Sequence, residues 1–204
     1  MPEGEADRHG AHAPRARATG RQAKADAVRS DATTMMTGDD VTMILERLDG
    51  ARIDAWLDGG WAVDALLGEQ TRAHEDLDLI VRVTDVPAMR MALAGDGYEL
   101  DRGETHSNFV LRDGAGREID VHPVTFDAHG DGVYRMESGT DWVFPADGFN
   151  GRGQVGGRDV RCLTADVQML CHATGYTPGE TDVHDMRLLH ARLGTALLPP
   201  YDAL

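Results

Sequence analysis

This sequence contains very little lysine and no long apolar run. Lys24 is the one lysine, so nearly all of the 20 basic residues are arginine. An anionic ligand in the folded part would therefore have to be bound by arginine, by backbone amides or through metal ions. No stretch approaches the roughly 18 consecutive apolar residues of a membrane-spanning helix, so we expect no membrane association.

Cysteine is scarce as well, and the N-terminus has no apolar signal segment. Cys162 and Cys171 are separated by less than three helical turns, and neither has a histidine or second cysteine at the spacing of a zinc site. We expect free thiols rather than a disulfide. Because the apolar stretch of a secretory signal is missing, the expected compartment is the cytoplasm.

The charge of the chain is strongly acidic. Acidic residues outnumber basic ones by 35 to 20, which gives a formal net charge of -15. Most of such a surface repels a phosphate backbone, so nucleic acid is not an expected partner. The excess of carboxylates suits a cationic small substrate, and it equally suits a protein that only needs to stay soluble.

The length of 204 residues and the apolar content of 41% allow one core with a small appended part. Residues 1–36 are predicted to be a disordered N-terminal extension, because large apolar side chains are almost absent before residue 35. Residues 37–126 are expected to form the main core. Residues 127–204 are expected to form a loop followed by a helical region.

Hydrophobic periodicity and turn residues predict the elements of this core. The predicted helices cover residues 40–48, 61–67, 86–94, 164–174 and 181–193. The predicted strands cover residues 52–57, 76–83, 108–112, 117–121 and 159–163. Asp39 or Asp40 is expected to cap the first helix, and Thr181 the last. Between 127 and 157 we expect irregular structure with short strands and aromatic anchors.

Acidic residues alternate with aliphatic ones in two of the predicted strands. Successive strand side chains point to opposite faces, so Asp76 and Asp78 share one face while Leu77 and Leu79 point into the core. On a later strand, Asp120 also lies opposite its aliphatic neighbours. The three carboxylates therefore meet at one place if the two strands are neighbours in the sheet.

A cluster of like charges raises the pKa of each carboxyl group unless a divalent cation reverses the sign of that energy. Mg2+ and Mn2+ prefer carboxylate oxygens and leave coordination positions for phosphate oxygens. Gly59 and Gly60 begin a predicted helix, and a helix N-terminus can bind phosphate through its backbone amides. These features together indicate phosphoryl chemistry. The alternative is that the acids are simply solvated on a polar strand face.

The loop before the acid pair supplies candidate ligands for a nucleotide. Arg72 is the cation best placed to bind a triphosphate, with an ordinary surface arginine as the alternative. His74 is a candidate to contact a phosphate or the base, although a histidine that only orders the turn is an equal alternative.

Several of these segments resemble drug-modifying nucleotidyltransferases of the polymerase-β-like superfamily. The similarity is carried by residues 56–68, with Asp58-Gly59-Gly60 at their centre, and by the motif His74-Glu75-Asp76-Leu77-Asp78. Three later segments are most similar to the small lincosamide nucleotidyltransferases: residues 119–123, 160–163 and 172–185. The first part of the core also resembles aminoglycoside 2''-adenylyltransferases. The resemblance covers residues 40–193.

This resemblance implies an α+β fold, with a mixed twisted sheet flanked by helices and a small C-terminal helical part that completes the acceptor site. It implies that ATP is the nucleotidyl donor, that two Mg2+ ions are bound by Asp76 and Asp78, and that Asp120 accepts the proton of the acceptor hydroxyl while also contacting a metal ion. The family pattern places four residues at the acceptor: Tyr176, Asp182, His184 and Asp185.

The leading functional hypothesis is transfer of AMP from ATP to a hydroxyl of a lincosamide antibiotic, with release of pyrophosphate. An aminoglycoside O-adenylyltransferase is the first alternative. A toxin-like nucleotidyltransferase that modifies a protein or an RNA is an alternative of another class, and a non-catalytic binding protein is disfavoured by the intact acids. The sequence leaves a homodimer open.

Overall fold

The computed structural model describes residues 34–136, 138–174 and 177–203. Most of the extension predicted for residues 1–36 lies outside these ranges, so its disorder stays a prediction. Met36 lies within them and corrects the predicted boundary. Its side chain is only 1% exposed, and its backbone N–H donates to the carbonyl of His74 at 2.9 Å. The folded part therefore begins before residue 37.

The helices confirm the predicted elements with small shifts at their ends. They are α1 Gly38–Gly50, α2 Gly59–Leu67, α3 Val86–Ala94, α4 Ala165–Ala173 and α5 Glu180–Leu193. Short 3-10 turns cover Val83–Asp85, Ala146–Asn150 and Tyr201–Ala203. Within the described ranges, no helix combines the length and apolarity needed to cross a bilayer.

Two of the predicted helix caps were wrong by a few residues. Thr37 caps α1. The carboxylate of Asp40 accepts from the backbone N–H of Thr37, and the Thr37 hydroxyl accepts from the backbone N–H of Asp40, which together form a capping box. At α5 the cap is Gly179 rather than Thr181, and Asp182 accepts from the Gly179 N–H at 2.7 Å. In both helices an acid one turn in completes the N-terminus.

The strands form one mixed sheet and a separate ribbon. They are β1 Ala55–Asp58, β2 Asp76–Arg82, β3 Glu99–Gly103, β4 Phe109–Arg112, β5 Glu118–Phe126, β6 Gly132–Arg135, β7 Asp141–Phe144, β8 Arg152–Val155 and β9 Arg158–Arg161. The main sheet has the order β1-β2-β5-β4-β3, and β6 and β7 extend it from the end of β5. β2 and β5 are parallel, whereas the other pairs are antiparallel. The predicted α+β fold with a mixed sheet is confirmed.

The two faces of the central strands have different surroundings. Leu77, Leu79 and Val121 point to one face and belong to a core that also contains the buried residues of α1 and α3. The other face carries the acids at one end and an aromatic cluster at the other. This second cluster is built around Trp56, Ile80, Val124, Phe144 and Phe149. The alternation of the strands thus places the acids beside an apolar wall.

α2, α4 and α5 pack together beside the sheet. Val63, Met169, Met186 and Leu189 form their shared core, with Tyr201 from the C-terminal turn closing it. The Tyr201 hydroxyl donates to the carbonyl of His172 at 3.0 Å. This packing brings the C-terminal helices to the side of α2, whose first turn follows directly after β1.

Candidate active site

A row of three carboxylates crosses the centre of the main sheet. Asp58 ends β1, Asp78 lies in β2 and Asp120 lies in β5. In the strand register, Asp58 is paired with Asp78, and Asp78 is paired with Asp120. The predicted neighbouring of the two acid-bearing strands is therefore confirmed. Asp76 lies on the same face, two residues before Asp78, and its register partner is Glu118.

Two acids of this row form a compact group of possible metal ligands with His122. One ligand atom each from Asp78, Asp120 and His122 lie within 4.8 Å of one another. Oδ1 of Asp120 is buried and has no hydrogen-bond partner within the described part of the chain. A buried carboxylate oxygen without a donor, next to a second carboxylate, is a donor set that fits a divalent cation. Asp76 shares the face but lies outside this compact group.

The electrostatics of the row are unfavourable as they stand. Burial raises the pKa of Asp78 well above its usual value, and the charges of Asp76 and Asp120 raise it further. Such a group resists ionisation unless positive charge is supplied. A divalent cation would supply that charge and restore the carboxylate form.

His122 is a site residue that the sequence analysis missed. Its Nδ1 lies 3.7 Å from Asp58 Oδ2, and its Nε2 lies 3.7 Å from Asp120 Oδ1, distances too long for hydrogen bonds. Burial alone would lower the pKa of His122, but the carboxylates of Asp58, Asp120 and Asp78 raise it to about 9. The signal was present, because His122 follows Asp120 by one full strand period and so shares its face.

Asp58 was also missed as a site residue, because it was read only as part of a turn. Its Oδ1 accepts from the Gly59 N–H at 2.8 Å and from Nε2 of Gln168 at 2.9 Å. Burial would raise the pKa of Asp58, but His122 and the Gly59 N–H outweigh it and lower the pKa. Gln168 is fully buried on α4. The side chain of Gln168 thus links the row of carboxylates to helix α4.

Gly59 and Gly60 allow close packing around the acids. Gly59 has a φ of +58°, and a Cβ atom there would run into the carboxylate of Asp78. A Cβ atom at Gly60 would run into the guanidinium of Arg72 and lie 2.6 Å from Nδ1 of His74. Side chains are therefore excluded at both positions. The binding of a phosphate by the backbone amides at these glycines stays a prediction.

Arg72 and Asp185 were predicted for different ligands, and the structure brings them into contact with each other. Nε of Arg72 donates to both oxygens of Asp185, at 3.0 and 3.2 Å, and Nη2 donates to Oδ2 at 2.7 Å. The Asp185 side chain is 2% exposed, whereas that of Arg72 is 25% exposed. Asp185 therefore faces an arginine inside the protein, and its predicted contact with the acceptor stays a prediction.

The surroundings of His74 favour the alternative of a histidine that orders the turn. Its side chain is 2% exposed, and its Nε2 lies 2.5 Å from Oδ2 of Asp64 on α2. The ring packs on Trp61 with a centroid distance of 4.5 Å, and Trp61 itself belongs to the core. Asp64 also accepts from the backbone and hydroxyl of Thr71. His74 orders the loop from within, so no face of its ring is open to a nucleotide.

The remaining acceptor candidates differ in their surroundings. Asp182 is buried, accepts from Gly179 and lies 3.1 Å from Nδ1 of His172, so it supports the start of α5. His184 is exposed on α5. Tyr176 lies outside the described residues. Of the four predicted acceptor residues the structure thus describes three, and their contact with an acceptor stays a prediction.

Glycines at a helix start next to a cluster of carboxylates form an arrangement that suits nucleotidyl transfer. The family model of aminoglycoside-2''-adenylyltransferase matches residues 40–189. The chain belongs to this family. The resemblance drawn from the motifs is therefore confirmed, and the chain is a nucleotidyltransferase whose family implies a nucleotide donor and a divalent metal.

Individual members of the family are similar to this chain over most of its length. A lincosamide resistance protein of Staphylococcus haemolyticus is 29% identical over 154 residues, which cover 76% of this chain and 94% of that protein. A 2''-aminoglycoside nucleotidyltransferase of Klebsiella pneumoniae is 31% identical over 126 residues, which cover 60% of this chain and 64% of that protein.

Solved structures agree with the family assignment. A lincosamide antibiotic adenylyltransferase, solved with lincomycin bound, superposes with a TM-score of 0.69 at 28% identity and covers 78% of this chain and 99% of that one. The 2''-aminoglycoside adenylyltransferase bound to adenylyl-2''-tobramycin gives a TM-score of 0.63 at 22% identity, covering 77% of this chain and 89% of that one. The second likeness shows the shared fold.

Proposed function

We propose that this enzyme transfers AMP from ATP to a hydroxyl of a lincosamide antibiotic and releases pyrophosphate. The observation that carries the choice of acceptor is the extent of the match. It spans 94% of the lincosamide resistance protein but 64% of the aminoglycoside enzyme. An alignment over nearly the whole relative supports a shared acceptor-binding part as well as a shared nucleotidyltransferase core.

Asp78 and Asp120 of the row would hold the metal together with Asp76. We propose that Asp76, Asp78 and Asp120 bind two Mg2+ ions, with His122 beside them. Bound there, Mg2+ would neutralise the clustered carboxylates and withdraw charge from the phosphate oxygens. The buried Oδ1 of Asp120 and the raised pKa of Asp78 support this assignment, since both are costs that a cation removes.

Asp120 is the proposed general base. The acceptor oxygen would form a bond to the α-phosphorus as the bond from that phosphorus to the bridging oxygen of pyrophosphate breaks. The hydroxyl proton would pass to Asp120, and pyrophosphate would leave with the electron pair of the broken bond. Asp120 suits this task because it lies at the end of the row, facing β4, and its side chain is 28% exposed.

The first turn of α2 is the proposed triphosphate site. The first N–H groups of a helix lack partners within the helix, and their partial positive charge attracts phosphate. Gly60 lies there with the guanidinium of Arg72 against it. We therefore propose that Gly59, Gly60 and Arg72 bind the phosphates, while Tyr176 and His184 remain acceptor candidates.

The decisive test is adenylylation of a drug panel. Purified enzyme with Mg2+ and ATP should add one AMP to lincomycin or clindamycin, observed as an adduct by mass spectrometry. Asp120→Asn keeps the size of the side chain and should abolish the adduct. Wild-type enzyme that leaves both lincosamides unmodified would contradict the choice of acceptor.

An aminoglycoside is the second candidate acceptor, because the matching family model carries that name. The same assay with tobramycin and related drugs separates the two. Adducts on aminoglycosides alone would replace the lincosamide proposal and leave the mechanism intact. A protein or RNA acceptor would appear as labelled macromolecule from radioactive ATP.

We further propose that the enzyme works in the cytoplasm, where ATP is supplied, and that its partners are small molecules. The formal net charge of -15 supports the exclusion of nucleic acid, because a phosphate backbone would be repelled. A homodimer stays a proposal that light scattering would test.

A further inference from the structure

We propose that Asp185 is a positioning residue for the nucleotide: it holds Arg72 at the first turn of α2, so that binding of ATP depends on helix α5. This inference rests on the proposed function, in which Arg72 binds phosphate. It assigns Asp185 a role at the donor rather than at the acceptor.

The contact between these side chains is bidentate. Nε and Nη2 of Arg72 form one edge of the guanidinium, and both donate to the Asp185 carboxylate at 2.7 to 3.2 Å. A bidentate pair fixes the plane of the guanidinium as well as its position. A single surface contact would leave the arginine free to rotate.

Two further neighbours complete the placement of Arg72. Nη1 donates to the carbonyl of Ala73 at 3.2 Å, and Nη2 lies so close to Gly60 that no Cβ atom fits between them. Nη2 of the guanidinium is thus close to both Asp185 and Gly60. The arginine is therefore held beside the helix start where the phosphates are proposed to bind.

The hydrogen bonds leave Arg72 able to take a ligand. A guanidinium has five N–H groups. Across the described part of the chain, Asp185 and Ala73 use one N–H each of Nε, Nη2 and Nη1. The second N–H groups of Nη1 and Nη2 are available for phosphate oxygens, on the side chain that keeps a quarter of its surface exposed.

Charge also argues that Arg72 and not Asp185 meets the ligand. Burial would lower the pKa of Arg72, but Asp185 raises it, and the charges of Asp64 and Asp76 act in the same direction. The arginine thus stays charged among carboxylates. Asp185 is nearly fully buried, so a drug cannot reach it unless the surrounding side chains move.

The test compares ATP binding with acceptor binding. Asp185→Asn keeps the shape of the side chain and removes its charge. We expect the dissociation constant of MgATP, measured by calorimetry on the full-length enzyme, to rise about tenfold, which is the loss of one charge-assisted hydrogen-bond pair. The KM for the acceptor drug should stay within about twofold, because Asp185 is proposed not to contact it.

A double-mutant cycle tests whether the effect passes through Arg72. Arg72→Ala should weaken MgATP binding by at least as much as Asp185→Asn, and the combined variant should bind MgATP no more weakly than Arg72→Ala alone. Asp185→Glu should recover part of the lost affinity, because it restores the charge. Additive losses in the cycle would contradict a role that acts through Arg72.

The chain offers a matched control. Arg192 on α5 contacts Glu69, in the same loop as Arg72, at 2.8 Å, with both side chains about half exposed. Glu69→Gln removes this second link between α5 and the loop and should leave MgATP affinity unchanged. If Glu69→Gln lost as much MgATP affinity as Asp185→Asn, any contact between α5 and the loop would affect ATP binding equally. That result would overturn the specific role of Asp185.

Other outcomes separate this inference from the proposed function. Unchanged MgATP affinity in Asp185→Asn, together with a raised KM for the drug, would place Asp185 at the acceptor and overturn the inference. Wild-type enzyme that binds MgATP but modifies no lincosamide would refute the proposed acceptor, and the MgATP measurements would still decide the role of Asp185. Wild-type enzyme that binds no MgATP would overturn both.

Discussion

Asp78 and Asp120 in the sheet have surroundings opposite to those of Asp64 and Asp185 on the helices. On the helices, Asp64 contacts Thr71 and His74, and Asp185 contacts Arg72. On the sheet, Asp78 and Asp120 face each other, and an oxygen of Asp120 has no donor in the described structure. The hydrogen-bonded acids of the helices stabilise the fold, whereas the clustered acids of the sheet lie where we propose that a metal ion binds.

The largest effect on activity is expected when an acid of the sheet is removed. Asp78→Asn should lower the rate of AMP transfer by about a thousandfold, because a ligand of the proposed metal is lost. Without metal, the same variant should unfold at an equal or higher temperature than wild type, because like-charge repulsion in the row is relieved. Rate assays and thermal melts would check both. Stabilisation by added Mg2+ should be present in wild type and weakened in the variant.

Removing a helix acid should lower the stability of the fold more than it affects the active site. Asp64→Ala takes away the acceptor for Thr71 and the partner of the buried His74. We expect a loss of about 3 kcal/mol in the free energy of unfolding, measured in urea, because buried polar groups are left unpaired. The MgATP affinity of the molecules that remain folded should change less than that of Asp78→Asn. Equal stability in Asp64→Ala and wild type would contradict the comparison.

Substitutions at Gly59 and Gly68 test the same comparison at the backbone. Gly59→Ala should lower activity by about a hundredfold, because the added Cβ displaces the carboxylate of Asp78 and a 1 Å misplacement in an active site can cost that much. Gly68→Ala is the matched control: it also has positive φ, +73°, but its Cβ atom would meet nothing within 4 Å. The control should lose only about 1 kcal/mol of stability and keep its rate.

The smallest effect is expected from an acid at the rim of the core. Burial would raise the pKa of Asp40, but hydrogen bonds with Thr37 and the charge of Arg117 outweigh it and lower the pKa. A lowered pKa means that the charged carboxylate stabilises the fold above the unfolded-state pKa, and that this contribution disappears as the pH falls through the folded-state pKa. Asp40→Asn should cost about 1 kcal/mol at pH 7 in urea unfolding. Wild type and variant should converge in acid, and a difference that grows there would contradict the assignment.

The sequence predicted the sheet part of the site well. Strict alternation told which side of β2 and β5 the acids occupy, and the strand register then confirmed that Asp78 and Asp120 are neighbours. The same rule would have found His122, which was overlooked because histidine was not sought on that face. β3 was not predicted, because all of its residues are exposed and it has no apolar alternation.

The helix part could not be predicted in the same way. Arg72 and Asp185 lie 113 positions apart, and no local pattern links a loop arginine to an aspartate on the last helix. Each was therefore assigned separately to a ligand. His74 was similarly read as a loop residue, since only the packing of Trp61 and Asp64 shows that its ring is inside. Local periodicity reveals which face a side chain occupies, but a partner from a distant element becomes visible only in three dimensions.

The parallel pairing of β2 with β5 makes catalysis a reporter of correct assembly. A slip of one residue would set Ile119 or Val121 opposite Asp78 and turn Asp120 to the helix-covered face. Such a molecule could keep much of its secondary structure and still be inert. Specific activity per mole of folded protein would then count the correctly paired molecules in a preparation, which circular dichroism cannot do.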